Sequence, residues 1–77
     1  MKKNKSDLST FVQTRRKQIK LTQPELAIKA GVGLRFLRDL EQGKTTMRID
    51  KVNDVLRLFG TTLGVIPLDR DKLLNNE

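Results

Sequence analysis

The chain has 77 residues, with 16 lysines and arginines against 9 acidic residues and a formal net charge of +7. This length predicts a single domain with a small core, and the charge favours a polyanionic partner, either nucleic acid or an anionic membrane surface. Because the chain contains no cysteine and no histidine, disulfides, Cys/His metal sites, thiol nucleophiles and imidazole bases are excluded. The carboxylates are scattered and mostly neighbour basic residues. We therefore expect no enzyme, no catalytic residue, no metal and no cofactor.

Basic residues are concentrated in the first 20 positions, where the single acid is Asp7. They are Lys2, Lys3, Lys5, Arg15, Arg16, Lys17 and Lys20. Residues 1–7 are polar and lysine-rich, which predicts a flexible arm that either aids solubility or lies along DNA phosphates or in a minor groove. No apolar run follows the arm, and no segment approaches the ~20 apolar residues of a membrane span. We expect no signal peptide, no membrane partner and a cytoplasmic location.

The first two predicted helices have clear local signals. Residues 8–20 place apolar side chains along one helical stripe. The second helix begins at Thr22, an N-cap residue with Glu25 three positions later, and Pro24 lies in its first turn. Gly31 follows the helix and can take the left-handed conformation that ends it. These signals predict two short helices in quick succession.

Two more helices are predicted further along the chain. The third spans residues 34–42 and is ended by Gly43. The fourth spans residues 49–59, has apolar residues at helical spacing, and is capped by Gly60. We therefore predict an all-α helical domain over residues 8–60.

The character of the chain changes after Gly60. Residues 61–68 are β-branched or apolar without a helical stripe, which predicts one short strand, and residues 69–77 form a polar tail. A single strand needs a partner, and no second strand is visible, so we expect the strands of two copies to pair in a homodimer. The candidate dimerisation residues are Leu63, Val65, Ile66 and Leu68.

A candidate helix-turn-helix lies at about residues 22–42, where the second and third predicted helices are joined by Gly31, Val32 and Gly33. In such a unit the second of the two helices enters the DNA major groove and the first crosses the backbone. The sequence therefore predicts that the third helix of this chain reads bases. The candidate base-reading residues are Gly33, Leu34, Arg35, Arg38 and Asp39.

The side chains of the third helix suggest different contacts. Arg35 and Arg38 lie three residues apart, and arginine donates two hydrogen bonds to guanine O6 and N7. Leu34 either contacts a thymine methyl group or is partly buried. Asp39 either accepts a hydrogen bond from cytosine N4 or orients Arg35 through a helical salt bridge, which we favour. Phe36 is either a core residue or a contact to the sugar–phosphate edge.

Residues 22–32, followed by residues 37–44, resemble the lambda repressor/Cro-type (XRE) helix-turn-helix family. The matching pattern is Thr-Gln-Pro-Glu-Leu-Ala, then Ala-Gly-Val, then Leu-Glu-Gln-Gly-Lys. The resemblance covers about residues 12–60 and implies a compact lambda repressor-like domain of four to five helices. It also implies a dimer that binds a pseudo-palindromic operator in double-stranded DNA. The predicted C-terminal strand departs from the family, where a fifth helix is usual.

A four-helix repressor domain followed by a C-terminal strand is similar to the HipB-type antitoxins. Residues 31–45 and 51–60 also resemble members of that group. That similarity implies a repressor that regulates its own operon as part of a toxin-antitoxin system. It also implies a second partner, a HipA-type serine/threonine kinase toxin. The alternative is a stand-alone phage- or plasmid-type regulator with no toxin partner.

The resemblance further implies roles for individual residues. Arg16 and Glu41 match an internal ion pair between the first and third helices, although Arg16 is alternatively a phosphate contact. A helix N-terminus suits an anion, and the positions matched there are close to the DNA backbone in the family. The implied phosphate contacts are Thr22, Gln23, Lys44, Thr45, Thr46 and Arg48.

Overall fold

The computed structural model describes residues 7–67, which form four helices. They are α1 (Asp7–Gln18), α2 (Gln23–Ala30), α3 (Leu34–Gln42) and α4 (Ile49–Arg57). The all-helical architecture predicted for the domain is confirmed for these residues. α3 has the predicted bounds, whereas α1 and α4 each end two residues earlier than predicted.

The hydrophobic core lies where the four helices meet. α3 packs against α1 and α2, and α4 packs against α2. Each helix contributes buried apolar side chains to this core from the face that it turns toward the other helices. The buried apolar residues are Val12, Leu26, Ala27, Val32, Leu37, Leu40, Val52, Val55 and Leu56.

Left-handed residues end the first three helices. Gly31 after α2 has φ 75°, and Gly43 after α3 has φ 89°, as the sequence predicts. After α1 the left-handed residue is Lys20, with φ 60°, and the N–H of Leu21 donates to the Arg16 carbonyl at 3.2 Å. This hydrogen bond is typical of a Schellman motif, in which glycine is the usual left-handed residue.

α4 ends in a tighter turn before the chain leaves the bundle. The N–H groups of Phe59 and Gly60 donate to carbonyls three residues earlier, at 2.9 and 3.0 Å. Gly60 has φ 69°, and the N–H of Thr61 donates to the Leu56 carbonyl at 3.1 Å. The predicted capping role of Gly60 therefore agrees with the backbone geometry, and the helix itself stops two residues before the predicted end.

The strand predicted over residues 61–68 is not formed in its described part. Residues 61–67 are exposed and belong to no strand or ladder. The predicted strand is therefore not supported within one chain, because a strand requires a neighbouring backbone and the helices bond their own backbones internally. Leu68, residues 1–6 of the predicted arm and the tail at 69–77 lie outside the described residues. Asp7, placed in the arm by the sequence, is the first residue of α1.

Among residues 7–67, no helix is both long and apolar enough to cross a membrane.

Candidate nucleic-acid interface

α2 and α3 pack against each other and are joined by a very short connection. Gly31 takes the left-handed conformation, and the N–H of Val32 donates to the Ala27 carbonyl at 3.0 Å. Val32 then lies in the core with 9% of its surface exposed. Gly33 is extended, with φ −74°, and its carbonyl accepts the first helical hydrogen bond of α3 from Leu37. This turn therefore redirects the chain within three residues.

α3 has one buried face and one exposed face. Leu37 and Leu40 are buried, with 0% and 2% of their surfaces exposed. Arg35 and Arg38 are exposed on the other side, and Gly33 is exposed at the beginning of the helix. Side chains three residues apart on a helix are neighbours, so the two guanidinium groups project from one surface. The structure thus brings together the two arginines for which the sequence predicts base contacts.

The two large apolar residues at the beginning of α3 are half-buried. Phe36 packs against the core, which agrees with the core interpretation rather than with a contact to the sugar–phosphate edge. Leu34 is also half-buried, so part of its side chain faces solvent beside Arg35. Leu34 therefore has some surface available for an apolar contact outside the protein.

Asp39 lies between two basic side chains. Its Oδ1 is 3.8 Å from Nε of Arg35, and its Oδ2 is 3.6 Å from Nζ of Lys44. The first distance matches the helical salt bridge that the sequence favours over a contact to cytosine. The second contact was not predicted. Its signal is the glycine between the two residues, because a Schellman turn at Gly43 brings Lys44 back over the last turn of α3.

Glu41 is the buried charge of the domain, with 1% of its side chain exposed. Its carboxylate accepts hydrogen bonds from Arg16 Nε at 2.7 Å, Arg16 Nη2 at 2.9 Å and Gln23 Nε2 at 3.0 Å. Arg16 also donates from Nη1 to the Leu21 carbonyl at 3.0 Å. The hydrogen bond to Glu41 raises the pKa of Arg16. This cluster joins α1, α2 and α3 behind the exposed face of α3.

Gln23 therefore makes a contact that the sequence did not predict. It stands at the N-terminus of α2, as a phosphate contact requires, but its amide nitrogen is also held by Glu41. An amide nitrogen has two hydrogens, so one remains to donate elsewhere. The buried carboxylate thereby orients the side chain at the beginning of α2.

The capping box predicted at α2 is present. Thr22 Oγ1 accepts the Glu25 N–H at 3.2 Å, and Glu25 Oε1 accepts the Thr22 N–H at 2.8 Å. The Thr22 N–H stabilises the carboxylate and lowers the pKa of Glu25 below its usual value. Since the Thr22 oxygen is an acceptor within the cap, its own hydroxyl hydrogen is the group left to donate to a phosphate.

The loop after α3 is largely exposed. Thr45 and Thr46 are exposed, and Lys44 has 53% of its side chain exposed. Arg48 forms two hydrogen bonds with the Asp50 carboxylate, the shorter at 2.7 Å, which lower the pKa of Asp50. Arg48 is thus paired on the surface, whereas the sequence predicts it as a phosphate contact.

α2, the tight turn and α3 together have the form of a helix-turn-helix unit. The turn contains Gly31, α3 is anchored by Leu37, and its outer face presents Arg35 and Arg38. These features define the class of helix-turn-helix proteins, in which the second helix of the unit has an exposed face on the surface of a small helical bundle.

Comparison with known proteins agrees with this class. No protein-family model matches the chain. An uncharacterized HTH-type transcriptional regulator of Sinorhizobium fredii (strain NBRC 101917 / NGR234) is 45% identical over 71 residues, which cover 91% of this chain and 93% of the relative. The chain therefore belongs to the family of HTH-type transcriptional regulators.

Proposed function

We propose that this protein is a sequence-specific DNA-binding transcriptional repressor of the lambda repressor/Cro type. α3 enters the major groove of double-stranded DNA, and α2 crosses the backbone. The observation that supports this most is the exposed face of α3. Arg35 and Arg38 project from it together, while Leu37 and Leu40 hold the opposite face in the core. Membership of a family of transcriptional regulators supports the same conclusion.

The base contacts are proposed for Gly33, Leu34, Arg35 and Arg38, with Asp39 beside them. Glycine has no side chain, so a base contact at Gly33 uses backbone or water. The helix N-terminus at Gln23 and the loop after α3 contact phosphates on either side. The proposed phosphate contacts are Thr22, Gln23, Lys44, Thr45, Thr46 and Arg48.

The test begins with selection of binding sites from a random pool of double-stranded DNA. Binding to the selected DNA is then measured for the Arg35→Ala and Arg38→Ala variants. Each change is expected to weaken specific binding by about 1–3 kcal/mol and to relax the preference at one base pair. Arg57→Ala is a matched control, because it removes the same charge from an exposed arginine on α4. Wild-type affinity and base preference in both α3 variants would contradict the assignment.

Lys44→Ala tests the backbone contact separately. Because a phosphate contact does not depend on sequence, this change is expected to weaken binding to all DNA and to reduce the salt slope by about one unit. The slope is measured from binding isotherms between low and physiological salt. A slope equal to that of the wild type would mean that Lys44 does not contact a phosphate.

We also propose that the protein acts as a homodimer through the apolar residues after α4. Asn53 Oδ1 accepts hydrogen bonds from Thr62 Oγ1 at 3.1 Å and from the Leu63 N–H at 2.9 Å, which hold the beginning of this segment against α4. Val65 and Ile66 then have 102% and 79% of their surfaces exposed. Exposed apolar residues of this kind favour burial against a second copy. The proposed interface residues are Leu63, Val65, Ile66 and Leu68.

A finer proposal is that this repressor is the antitoxin of a HipBA-like system and binds a HipA-type kinase toxin. The resemblance of residues 31–45 and 51–60 to HipB-type antitoxins supports it. The test is to co-express this protein with the product of a neighbouring kinase gene and to purify the kinase through a tag. Stoichiometric recovery of both chains is expected. Operator binding without kinase binding would instead identify a stand-alone phage- or plasmid-type regulator.

A further inference from the structure

The carboxylate of Asp39 contacts two side chains to which the proposed function gives different tasks. Arg35, at 3.8 Å from Oδ1, lies on the base-facing surface of α3, and Lys44, at 3.6 Å from Oδ2, belongs to the phosphate-binding loop. The Lys44 N–H also donates to the Asp39 carbonyl at 3.1 Å, which holds the loop against the end of the helix. One aspartate therefore links the two parts of the proposed interface.

Both ion pairs can exchange partners at little cost. The side chain of Arg35 is 89% exposed and that of Lys44 is 53% exposed, and ion pairs between exposed groups contribute little stability. The Asp39 side chain is 26% exposed, and its backbone is fixed in α3. When DNA approaches, either cation can move to a phosphate, and the carboxylate that it leaves stays close to the phosphates and is repelled by them.

The pairing also orients Arg35. Asp39 lies beside Nε of the guanidinium, so the two terminal nitrogens remain available for a bidentate contact to guanine. On DNA that offers a guanine there, Arg35 donates to the base from its terminal nitrogens while Nε stays beside Asp39, so the carboxylate remains paired. On other DNA, Arg35 gains a phosphate contact only by leaving the carboxylate unpaired.

We propose that Asp39 is a positioning residue that determines sequence specificity by weakening the binding of α3 to DNA without a base partner for Arg35. This inference rests on the proposed DNA binding of α3. It assigns Asp39 no base contact of its own, since it acts through Arg35 and, secondarily, through Lys44.

Asp39→Asn tests the inference by removing the charge and retaining the shape. Binding is measured to the sequence selected by the wild type and to a scrambled duplex of equal composition. The affinity for scrambled DNA is expected to rise, and the ratio of selected to scrambled affinity is expected to fall about tenfold. The control is Asp54→Asn, which removes the same charge from an aspartate paired with Arg57 at 3.1 Å on α4. This control is expected to keep the ratio within about twofold of the wild type.

The same substitution in an Arg35→Ala variant distinguishes an effect of Asp39 on Arg35 from a general effect on the helix. In an Arg35→Ala protein, adding Asp39→Asn is expected to leave the ratio unchanged, because the group through which Asp39 acts is absent. Thermal unfolding of Asp39→Asn is expected to stay within about 2 °C of the wild type, because the pairs that it breaks are exposed.

The outcomes distinguish this inference from the proposed function. If Asp39→Asn changes the ratio no more than Asp54→Asn, or still lowers it in the Arg35→Ala background, the inference is overturned and specific DNA binding stands. If the wild type prefers no sequence at all, the proposed function itself fails.

Discussion

Lys20 is the one non-glycine residue among residues 7–67 with a positive φ, at 60°. A side chain in this conformation costs about 1–2 kcal/mol because Cβ approaches the following carbonyl. The geometry is imposed by the short link between α1 and α2, where Leu21 must bond back to Arg16. The helix end is therefore held by its hydrogen bonds rather than by the conformational preference of the residue.

Lys20→Gly is accordingly expected to stabilise the protein by about 0.5–1 kcal/mol, since glycine removes the strain but adds freedom to the unfolded chain. Urea denaturation measures the free energy of unfolding. Lys17→Gly is the matched control, because Lys17 is exposed and helical, and there the change is expected to destabilise by about 1 kcal/mol. Equal effects at both positions would show that the left-handed conformation is not strained.

Glu41 differs from Lys20 in that its side chain is buried inside the domain. Glu41→Gln leaves the guanidinium of Arg16, whose side chain is 12% exposed, without a charged partner. We expect a loss of about 3 kcal/mol in the free energy of unfolding, because breaking a buried pair leaves an uncompensated charge. Chemical denaturation at neutral pH gives this value.

Asp50→Asn provides the comparison for Glu41. It breaks an ion pair of the same 2.7 Å length, but the side chains of Arg48 and Asp50 are 68% and 64% exposed. The expected loss is within about 0.5 kcal/mol, since solvent screens the pair. Similar losses in the two variants would show that burial does not determine the strength of these pairs.

At the scale of the elements, the turn between α2 and α3 depends on the conformation of one glycine. A Cβ added at Gly31 or at Gly33 would meet no atom within 4 Å, so both positions have open space. The two differ in φ, which is 75° at Gly31 and −74° at Gly33. Substitutions at these two glycines therefore distinguish the effect of backbone strain from the effect of crowding by an added side chain.

Gly31→Ala is expected to destabilise the protein by about 1–2 kcal/mol. Gly33→Ala is expected to be neutral or to stabilise by about 0.5 kcal/mol, because alanine reduces the freedom of the unfolded chain. Both are measured by denaturation of the free protein, so that any contact of Gly33 with DNA does not enter. A destabilisation by Gly33→Ala as large as that by Gly31→Ala would contradict this account.

The elements also show how far local signals determine structure. α2 was predicted almost completely because Thr22, Glu25 and Gly31 act on the helix to which they belong. The end of α1 was predicted two residues late, since no glycine marks it and the left-handed residue of the turn is Lys20. The strand at residues 61–68 was predicted from composition alone, and composition does not supply a partner backbone.

At the scale of the whole molecule, the proposed DNA-binding face and the proposed dimer interface are different surfaces. Arg35 and Arg38 project from α3, whereas Val65 and Ile66 follow α4. A dimer through the second surface leaves the first free on each copy, as binding to a pseudo-palindromic site requires.

Ile66→Asp is therefore expected to shift the protein toward monomer, because a charge at an apolar interface is costly to bury. Sedimentation across a range of concentrations measures the change. Ile28→Asp is the control, since Ile28 on α2 is likewise 80% exposed and lies outside the proposed interface. An unchanged association state of Ile66→Asp, relative to this control, would remove Ile66 from the interface.

The sequence by itself determined the presence of the four helices, the glycine ends of α2 and α3, the capping box at Thr22 and the positions of Arg35 and Arg38 on one face of α3. These features depend on residues within one or two helical turns of each other. The family resemblance implied the pair of Arg16 and Glu41, which are 25 residues apart in the chain. Only the tertiary structure decided that Glu41 is buried and also accepts a hydrogen bond from Gln23, 18 residues away. It also shows that residues 61–67 form no strand within one chain. The physical reason is that burial and backbone pairing depend on which distant segments meet, and spacing along the chain does not contain that information.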